Sequence, residues 1–283
     1  MRLLNIDGRI AIERDGRGID VERASGGRFG PDFQDALNRW DEFQAWAIEV
    51  TGIDGEPYRP GQLGAPVGVP RQIFAIGLNY RAHAEESGIA LPEVPMVFTK
   101  FYSSITGPFE EIVMPEGDVD WEVELVAVIG RRAVKVSQSE AWDYVAGLTV
   151  GQDLSERRSQ VRPPAPQQFS LAKSFPGFAP LGPALVTPDE LPDPNDLEVS
   201  CLVDGTEVQR SRTGDLIFGV PSLVAYLSSI LPLLPGDLIF TGTPSGIGFA
   251  RDPQRFLQDG EELTTVIEGI GTMRNRMIRR AAE

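Results

Sequence analysis

The stretch DWEVELVAVIG, residues 120–130, joins a row of acidic side chains to an uninterrupted apolar run. In an extended strand the side chains alternate between two faces, so Asp120, Glu122 and Glu124 point to the same side. The residues LVAVIG continue as an apolar segment typical of a buried core strand. Three carboxylates therefore lie at the end of a buried element, where they repel one another unless water or a cation separates them. A solvated face and a site for a hard cation such as Mg²⁺ both fit this pattern.

Short strands dominate the chain from residue 70 onward. They are rich in β-branched and aromatic residues, are separated by Gly, Pro and Asp, and comprise QIFAIGL, PMVFTKF, EVELVAVIG, AGLTVGQ, LEVSCLV, DLIFTGT and LTTVIEGI. The long alternation of strands and helices that builds doubly wound sheets and (β/α)₈ barrels is missing. The sequence therefore predicts an α+β fold that is mostly β.

Two helices are predicted from the spacing of apolar residues. The first covers residues 32–50, and its apolar face consists of Phe33, Ala36, Leu37, Trp40, Phe43 and Ala47. The second runs from about residue 220 until Pro232 ends it, with Pro221 suited to its first turn. Its apolar face consists of Val220, Leu223, Val224, Leu227, Ile230 and Leu231.

A linker divides the chain near residue 65. Nine of the twenty residues 51–70 are Gly or Pro, which favours an irregular connection. We therefore predict a small N-terminal α+β domain over residues 1–65 and a larger domain over residues 70–283.

The composition of the 283-residue chain restricts its partners and location. A net charge of −15 and a pI near 4.6 argue against nucleic acid, because phosphate binding requires a basic surface. Cys201 is the only cysteine, which excludes an internal disulfide and a cysteine-based zinc cluster. The N-terminus has no signal-peptide pattern, and prolines interrupt the most apolar region, residues 216–240. We expect a soluble cytoplasmic protein with no membrane partner.

A further acid, Asp153, follows an apolar run in GLTVGQDLSERRSQ, residues 147–160. If a helix begins near Ser155, Arg157 and Gln160 follow Asp153 at helical spacing and lie on roughly the same side. A guanidinium and an amide beside a metal-binding acid could hold a substrate carboxylate. An ordinary surface helix fits the same residues equally well.

Lys173 lies among small and apolar neighbours in QFSLAKSFPGFAPLGP, residues 168–183. A semi-buried lysine needs a partner, which a cluster of acids would supply. The SLAK segment also matches the S-x-x-K of serine acylating enzymes, but neither S-D-N nor K-T-G follows it.

A Gly-rich turn, TGTPSGIG at residues 241–248, follows the strand DLIF. Such a turn can present backbone N–H groups to an anion. It lacks the lysine of a Walker A loop and the dinucleotide-binding fingerprint, so nucleotide binding has little support.

His83, in GLNYRAHAEESG at residues 77–88, is the only histidine of the chain. Asn79 can cap a short helix that Gly88 ends, which places His83 and Glu86 on one face. A carboxylate beside an imidazole orients the ring as a general base. A satisfied structural histidine remains the other interpretation of this stretch alone.

Taken in series, these segments resemble the fumarylacetoacetate hydrolase family over about residues 70–275. The motifs that carry the resemblance are GLNYRAHAEE, DWEVELVAVIG, GQDLSERRSQ, SLAKSF, LGPALVTPDEL, PGDLIFTGTPSGIG and IEGIGTMRN. The resemblance implies a mixed β-roll catalytic domain, usually in a homodimer, and the N-terminal residues look like the family's variable accessory domain.

The resemblance also implies roles for individual residues. The positions that match the family's ligands of a divalent metal, normally Mg²⁺ or Mn²⁺, are Glu122, Glu124 and Asp153. His83 and Glu86 match the dyad of a mobile lid, and Lys173 matches the lysine beside the metal. Arg157, Gln160 and Thr243 match positions that contact the substrate. Asp120 precedes the metal pair but is not a usual ligand in this branch of the family.

The implied substrate is a small 2-oxo or 2,4-dioxo acid that chelates the metal, which then stabilises an enolate. The favoured activity is hydrolysis of the C–C bond of a 2,4-dioxo acid such as an acylpyruvate or fumarylpyruvate, with water activated by His83 and Glu86. The alternatives at the same site are a 2-hydroxyhepta-2,4-diene-1,7-dioate isomerase and an oxaloacetate decarboxylase. A non-catalytic protein that binds a metal or small acid stays open, although a pure binder has no chemical need for the whole set.

Overall fold

The computed structural model describes residues 1–86, 90–161 and 167–280, and of residues 83–85 it describes the backbone alone. Its strands are β1 Arg2–Ile6, β2 Arg9–Arg14, β3 Arg17–Asp20, β4 Leu63–Gly64, β5 Ile73–Gly77, β6 Met96–Thr99, β7 Ile105–Thr106, β8 Ile112–Val113, β9 Val119–Asp120, β10 Val123–Ile129, β11 Val145–Gln152, β12 Ser155–Glu156, β13 Ala179–Val186, β14 Glu198–Val203, β15 Thr206–Arg212, β16 Leu238–Phe240, β17 Glu262–Ile267 and β18 Gly271–Ile278. Its α-helices are α1 Val21–Ala24, α2 Phe33–Asn38, α3 Trp40–Glu49, α4 Arg81–Glu86, α5 Arg157–Gln160, α6 Phe169–Ala172 and α7 Val220–Ile230. Short 3₁₀ turns cover Pro60–Gln62, Tyr102–Ser104, Gln138–Tyr144, Pro188–Glu190, Thr213–Asp215 and Gly248–Ala250.

Two large sheets of mixed direction form the framework. The larger has 11 strands in the order β3-β2-β1-β13-β11-β10-β16-β5-β6, with β4 beside β1 and β7 beside β13. Most neighbours are antiparallel, but β16 runs parallel to β5 and β13 runs parallel to β7. The second sheet has five strands in the order β15-β14-β17-β18-β8, and β9 pairs separately with β12. The predicted α+β, mostly β fold is confirmed.

Strands β10 and β11 occupy the centre of the core. They pair along their whole length, from Val123 opposite Gln152 to Ile129 opposite Val145, and all of their residues are buried. Burial on both faces explains the continuous apolar run in the sequence. Each fully buried Val, Leu or Ile side chain stabilises the fold by about 1.5–3 kcal/mol. The residues at the ends of this pair are therefore held by a well-packed support.

All seven strands predicted beyond residue 70 are present. Three long strands were not predicted, namely β13, β15 and β18. Gly182 and Pro183 interrupt the apolar pattern of β13, and both residue types argue against a strand interior. Strand β15 is polar and largely exposed, so its sequence has little apolar signal. Pairing with neighbouring strands decides these segments.

The prediction of one helix over residues 32–50 is wrong in its continuity. All six residues of the predicted apolar face are buried, yet Arg39 leaves the helical conformation at φ −124° and ψ 37° and separates α2 from α3. Its guanidinium donates to the carbonyl oxygen of Arg28 at 2.7 Å and lies over the ring of Phe29 at 4.6 Å. Tertiary contacts of one side chain accompany the break.

Helix α7 agrees with the prediction except at its end. It starts after Gly219, contains Pro221 in its first turn and buries Val220, Leu223, Val224 and Leu227. Ile230, expected on the apolar face, is 65% exposed. The next residue, Leu231, is already extended because Pro232 cannot continue a helix. No helix in the described ranges is long and apolar enough to cross a membrane.

The N-terminal residues share the larger sheet with the rest of the chain. Strand β1 pairs with β13, with Leu3 opposite Leu185, and extends the sheet through β2 and β3. The terminal amine also donates to Thr187 Oγ1 at 2.6 Å. The sheet therefore runs across residue 65, and the division into two domains at that point stays a prediction.

Candidate functional site

Three carboxylates meet where β10 begins and β11 ends. Glu124 belongs to β10, Glu122 directly precedes it, and Asp153 directly follows β11. Because the two strands are antiparallel, these ends lie side by side, and the Asp153 amide donates to the Glu122 carbonyl at 2.9 Å. One carboxylate oxygen from each residue lies within 4.8 Å of the others, and all three residues are buried. Such a set of hard oxygen donors fits a divalent cation such as Mg²⁺ or Mn²⁺.

Lys173 lies at this cluster, as its sequence context suggested. It follows α6, and its ammonium donates to Glu122 Oε2 at 2.8 Å and to Asp153 Oδ2 at 2.6 Å. Burial alone lowers the pKa of Lys173, but the neighbouring carboxylates of Asp153 and Glu122 outweigh it and the pKa is raised. The lysine therefore stays cationic inside the protein.

Asp120 lies beside the cluster, and its carboxylate binds protein donors. The predicted single strand is divided, since Asp120 belongs to β9 and pairs with β12 while β10 starts at Val123. Its Oδ1 accepts from the amides of Trp121 and Gly248 at 2.8 and 2.7 Å, and its Oδ2 accepts from Phe249 N at 2.9 Å and Arg157 Nε at 2.8 Å. Both oxygens are thus engaged by protein donors.

Arg157 reaches the cluster by a route that the sequence did not predict. Helix α5 starts at Arg157 rather than near Ser155, because the Glu156 side chain caps the amides of Arg158 and Ser159. Asp153 lies before β12 and outside the helix, so helical spacing does not relate it to Arg157. Instead the Arg157 guanidinium pairs with Asp120 Oδ2 and with Glu122 Oε1, each at 2.7 Å.

The other two predicted substrate contacts, Gln160 and Thr243, are also buried. Gln160 Oε1 accepts from Arg157 Nη1 at 2.7 Å, and Thr243 Oγ1 accepts from Gln209 Nε2 at 2.9 Å. Gln209 in turn accepts from the amide of Val123 at 3.1 Å, beside the metal-ligand candidates. Their predicted contact with substrate stays a prediction.

Lys100 is a residue of the centre that the sequence analysis missed. It lies just beyond β6, its side chain is completely buried, and its ammonium donates to Asp153 Oδ1 at 2.7 Å. It also contacts the backbone carbonyl of Lys173. Burial lowers the pKa of Lys100, and the charge of Asp153 offsets this only in part. The sequence did contain a signal that could have identified Lys100, because only three of the 26 basic residues of the chain are lysines.

Glu124 differs from the other two acids of the cluster in its surroundings. Its Oε2 accepts from the Gly242 amide at 2.7 Å. Burial, followed by the negative charges of Asp153 and Glu122, raises the pKa of Glu124 well above its ordinary value. Its ionised form therefore needs additional positive charge, which a bound cation would supply.

The Gly-rich turn does present amides to anions, and these anions are the protein's own carboxylates. Gly242 N donates to Glu124, Gly246 N donates to Glu86, and Gly248 N donates to Asp120. A Cβ atom at Gly246 would collide with the Val208 carbonyl, and its φ of +100° favours glycine. The glycines thus allow one loop to contact three acidic residues of the site.

The predicted lid corresponds to α4, Arg81–Glu86. Glu86 is exposed, and its Oε1 accepts from the Gly246 amide at 3.0 Å. His83 belongs to this helix, but its side chain and residues 87–89 lie outside the described part of the chain. The dyad of His83 and Glu86 therefore stays a prediction.

A cavity of about 430 Å³ lies elsewhere, between β1–β3 and residues 53–62. It is lined by residues such as Ile19, Tyr58 and Gln62 and by none of the predicted site residues. This cavity therefore lies apart from the acids and lysines of the cluster. We assign the site from the acids and lysines, because a buried group of charges requires a functional or structural reason.

Comparison with known proteins agrees with this geometry. Residues 72–278 match the family described as fumarylacetoacetate (FAA) hydrolase, C-terminal. The chain belongs to the fumarylacetoacetate hydrolase family. It is 42% identical over 216 residues to the oxaloacetate tautomerase Fahd2a, mitochondrial, of Rattus norvegicus, covering 76% of this chain and 68% of the rat protein. It is 43% identical over 228 residues to the 2,4-didehydro-3-deoxy-L-rhamnonate hydrolase of Sphingomonas sp. (strain SKA58), covering 80% and 78% of the two chains.

Solved structures of similar proteins share the fold over nearly the whole chain. A candidate HpcE protein from Mycobacterium smegmatis is 54% identical, with a TM-score of 0.95 and coverage of 99% of this chain and 100% of that one. Maleylpyruvate hydrolase from Sphingobium sp. SYK-6, in complex with manganese(II) and pyruvate, is 26% identical, with a TM-score of 0.82 and coverage of 99% and 100%. The similar proteins with a named activity include hydrolases, isomerases and a tautomerase, and their names denote small acids as substrates.

Proposed function

We propose that this protein is a divalent-metal-dependent hydrolase that cleaves the C–C bond of a 2,4-dioxo acid of the acylpyruvate or fumarylpyruvate type. The observation that carries the proposal is a buried cluster of three acids next to Lys173. One carboxylate oxygen each from Glu122, Glu124 and Asp153 lies within 4.8 Å of the others. Mg²⁺ or Mn²⁺ held by these acids would polarise the 2-oxo group and favour negative charge on its oxygen. The relative from Sphingomonas supports this substrate class, because its name denotes an acid oxidised at carbons 2 and 4 and deoxygenated at carbon 3.

The charges around the cluster favour an anionic substrate. The cluster and the described residues that ion pairs link to it comprise four acids and three bases, namely Asp120, Glu122, Glu124 and Asp153 against Lys100, Arg157 and Lys173. With all groups ionised, one negative charge remains, and a divalent cation reverses this to one positive charge. A single carboxylate then neutralises the buried centre, whereas the overall charge of −15 would repel it elsewhere.

Each side chain has a proposed task in the reaction. Lys173 and Arg157 would orient the substrate carboxylate and stabilise negative charge that develops at the 2-oxo oxygen. Gln160 and Thr243 would contact the substrate at the edge of the centre. His83 and Glu86 would remove a proton from water, which adds to the carbonyl at carbon 4.

The bonds balance without a further reactant. The oxygen of water bonds to carbon 4, the bond between carbons 3 and 4 breaks, and its electron pair remains on carbon 3, delocalised onto the 2-oxo group. Carbon 3 then takes the proton from the dyad, which gives pyruvate or a substituted analogue and a second carboxylic acid.

Tautomerisation of oxaloacetate is the second candidate function. The 42% identity to an oxaloacetate tautomerase favours it. It requires the same stabilisation of negative charge at the 2-oxo oxygen, with proton transfer at carbon 3 and no attack by water. Decarboxylation of oxaloacetate and isomerisation of 2-hydroxyhepta-2,4-diene-1,7-dioate share that requirement, and a relative from Mycobacterium abscessus is a probable isomerase of that type by name.

The test follows the ultraviolet enol band of acetylpyruvate with protein stripped of metal, before and after addition of Mg²⁺ or Mn²⁺. We expect the band to disappear and pyruvate to accumulate only with metal, and His83→Ala and Glu86→Gln to slow this step. Glu49→Gln, at the exposed end of α3, is the matched control and should react like the unmodified protein.

The outcomes separate the two candidate functions. If acetylpyruvate persists while the enol and keto forms of oxaloacetate equilibrate faster in the presence of metal, the protein is a tautomerase and hydrolysis is wrong. Release of CO₂ from oxaloacetate identifies a decarboxylase instead. The homodimer and the cytoplasmic location remain predictions, which light scattering and fractionation would test.

A further inference from the structure

The chain uses lysine very sparingly, and two of its three lysines are in the candidate centre. Lys100 and Lys173 both contact Asp153, whereas Lys135 is exposed on the surface. The remaining basic residues are arginines. A lysine ammonium is a compact charge that donates in three directions, which suits a narrow buried place between several acceptors.

Lys100 joins two parts of the centre that are distant in the sequence. Its ammonium donates to Asp153 Oδ1 and contacts the backbone carbonyl of Lys173, and its side chain has no exposed surface. Lys173 takes the other oxygen of Asp153, Oδ2, together with Glu122 Oε2. Asp153 is thus held on both oxygens, by Lys100 on one and by Lys173 on the other.

We propose that Lys100 is a positioning residue for the metal centre, which fixes the rotation of the Asp153 carboxylate and the location of Lys173. With Oδ1 held by Lys100, Oδ2 accepts from the same Lys173 ammonium as Glu122 Oε2. Lys100 itself is too enclosed to touch substrate, so it acts through its two neighbours. This inference rests on the proposed metal-dependent function of the same acids.

A purely electrostatic role for Lys100 makes the opposite prediction. A positive charge beside the cluster repels a divalent cation, so its removal would tighten metal binding if charge alone mattered. Loss of a residue that orients a metal ligand instead weakens metal affinity, typically by 10–100-fold. The sign of the change in affinity therefore distinguishes the two roles.

The experiment measures Mn²⁺ binding by electron paramagnetic resonance in the full-length protein and in Lys100→Met. We expect the dissociation constant to increase about tenfold in Lys100→Met. Lys135→Met is the matched control and should retain the original affinity. An unchanged or lower dissociation constant in Lys100→Met overturns the proposal, whereas failure of the unmodified protein to bind Mn²⁺ overturns the proposed metal-dependent function itself.

A second measurement needs no substitution at Lys100. Protein labelled with ¹³C at lysine Cε has only three lysine signals, which Lys135→Met and Lys173→Met assign by elimination. Addition of Mg²⁺ should shift the signals of Lys100 and Lys173 and leave that of Lys135 in place. If the Lys100 signal does not respond while that of Lys173 does, Lys100 is not coupled to the metal ligand and the proposal is wrong.

Discussion

Two groups of ion pairs in this molecule use the same chemistry in opposite surroundings. Near the N-terminus, Arg9 pairs with Asp20 at 2.6 Å and with Glu22 at 2.7 Å, and these side chains are 21–42% exposed. In the candidate centre, Lys173 pairs with Glu122 and Asp153 at similar distances, and no side chain of this group is more than 8% exposed. Distances alone do not separate the two groups. Their contact with water does.

The difference decides what each group contributes. Water and salt screen an exposed ion pair, so its contribution to the free energy of folding is small. A buried charge has lost its hydration and depends on its partners for stabilisation. Removing one partner leaves the other charge buried and uncompensated, which strongly destabilises the fold. Buried pairs are rarely the cheapest way to stabilise a fold. Their presence in this centre is explained by the proposed chemistry, which needs a cation and an anionic substrate in one place.

The largest expected effect comes from Glu124→Gln. It removes a proposed metal ligand while the amide oxygen can still accept from Gly242, so we expect activity to fall at least about 100-fold without loss of fold. The metal-free protein should melt at the same temperature or higher, because the substitution removes a carboxyl group whose charged form is disfavoured by burial and by the negative charges of Asp153 and Glu122. Steady-state kinetics and calorimetry check the two parts. Unchanged activity in this variant would show that Glu124 is not a metal ligand of the centre.

The second effect concerns stability. Lys173→Met leaves Glu122 and Asp153 each short of one buried cationic partner. We expect the free energy of unfolding of the metal-free protein to fall by about 3–5 kcal/mol, as for other broken buried pairs. Urea unfolding measures it, with Lys135→Met as the matched surface control. A loss no greater than that of the control would mean that the two groups of ion pairs do not differ in kind.

The third effect is a dependence on pH. Burial raises the pKa of Glu124 above its ordinary 4.5, so the folded metal-free protein holds this proton more tightly than the unfolded chain does. Glu124 therefore contributes a loss of stability to the metal-free protein as the pH rises from about 4.5 towards the raised pKa. Metal binding needs the ionised form, so the increase in Tm caused by Mg²⁺ should grow with pH over that window. Thermal melts from about pH 5 to about pH 8 check this. A gain that is independent of pH would contradict it.

The smallest effect is expected at the surface. Arg9→Met breaks the contacts with Asp20 and Glu22, and we expect the urea midpoint to stay within experimental error of the unmodified protein. The pair should also be insensitive to Mg²⁺. A shift in midpoint comparable to that of Lys173→Met would show that exposure does not determine the value of these pairs.

Much of the fold could be predicted because its signals are local. The strand at residues 122–130 follows from alternation and an apolar run, and helix α7 follows from apolar spacing between Gly219 and Pro232. The break at Arg39 could not be predicted, since it goes with contacts to Phe29 and Arg28 that the helical pattern does not contain. Strand β13 was hidden by its glycine and proline, and the neighbouring strands β1 and β11 define it.

The sequence identified the residues of the candidate site more fully than it identified their contacts. Strand ends suggested Glu122, Glu124 and Asp153 as candidates for a cation site, the apolar context of Lys173 suggested that it needs a partner, and the resemblance to the family implied their roles, which stay predictions. Arg157 was expected beside Asp153 by helical spacing, but the structure pairs it with Asp120 and Glu122. Lys100 was read only as part of a strand.

The sequence by itself determined that Glu122, Glu124, Asp153 and Lys173 stand beside apolar runs that must be buried, but it did not reveal Lys100. Only the tertiary structure decided their pairing. Lys100 and Asp153 are 53 residues apart, and Gly242 and Glu124 are 118 residues apart. Alternation along a strand states which side of the sheet a carboxylate faces, but the pairing of β10 with β11 and the close passage of the Gly-rich loop determine which groups surround it.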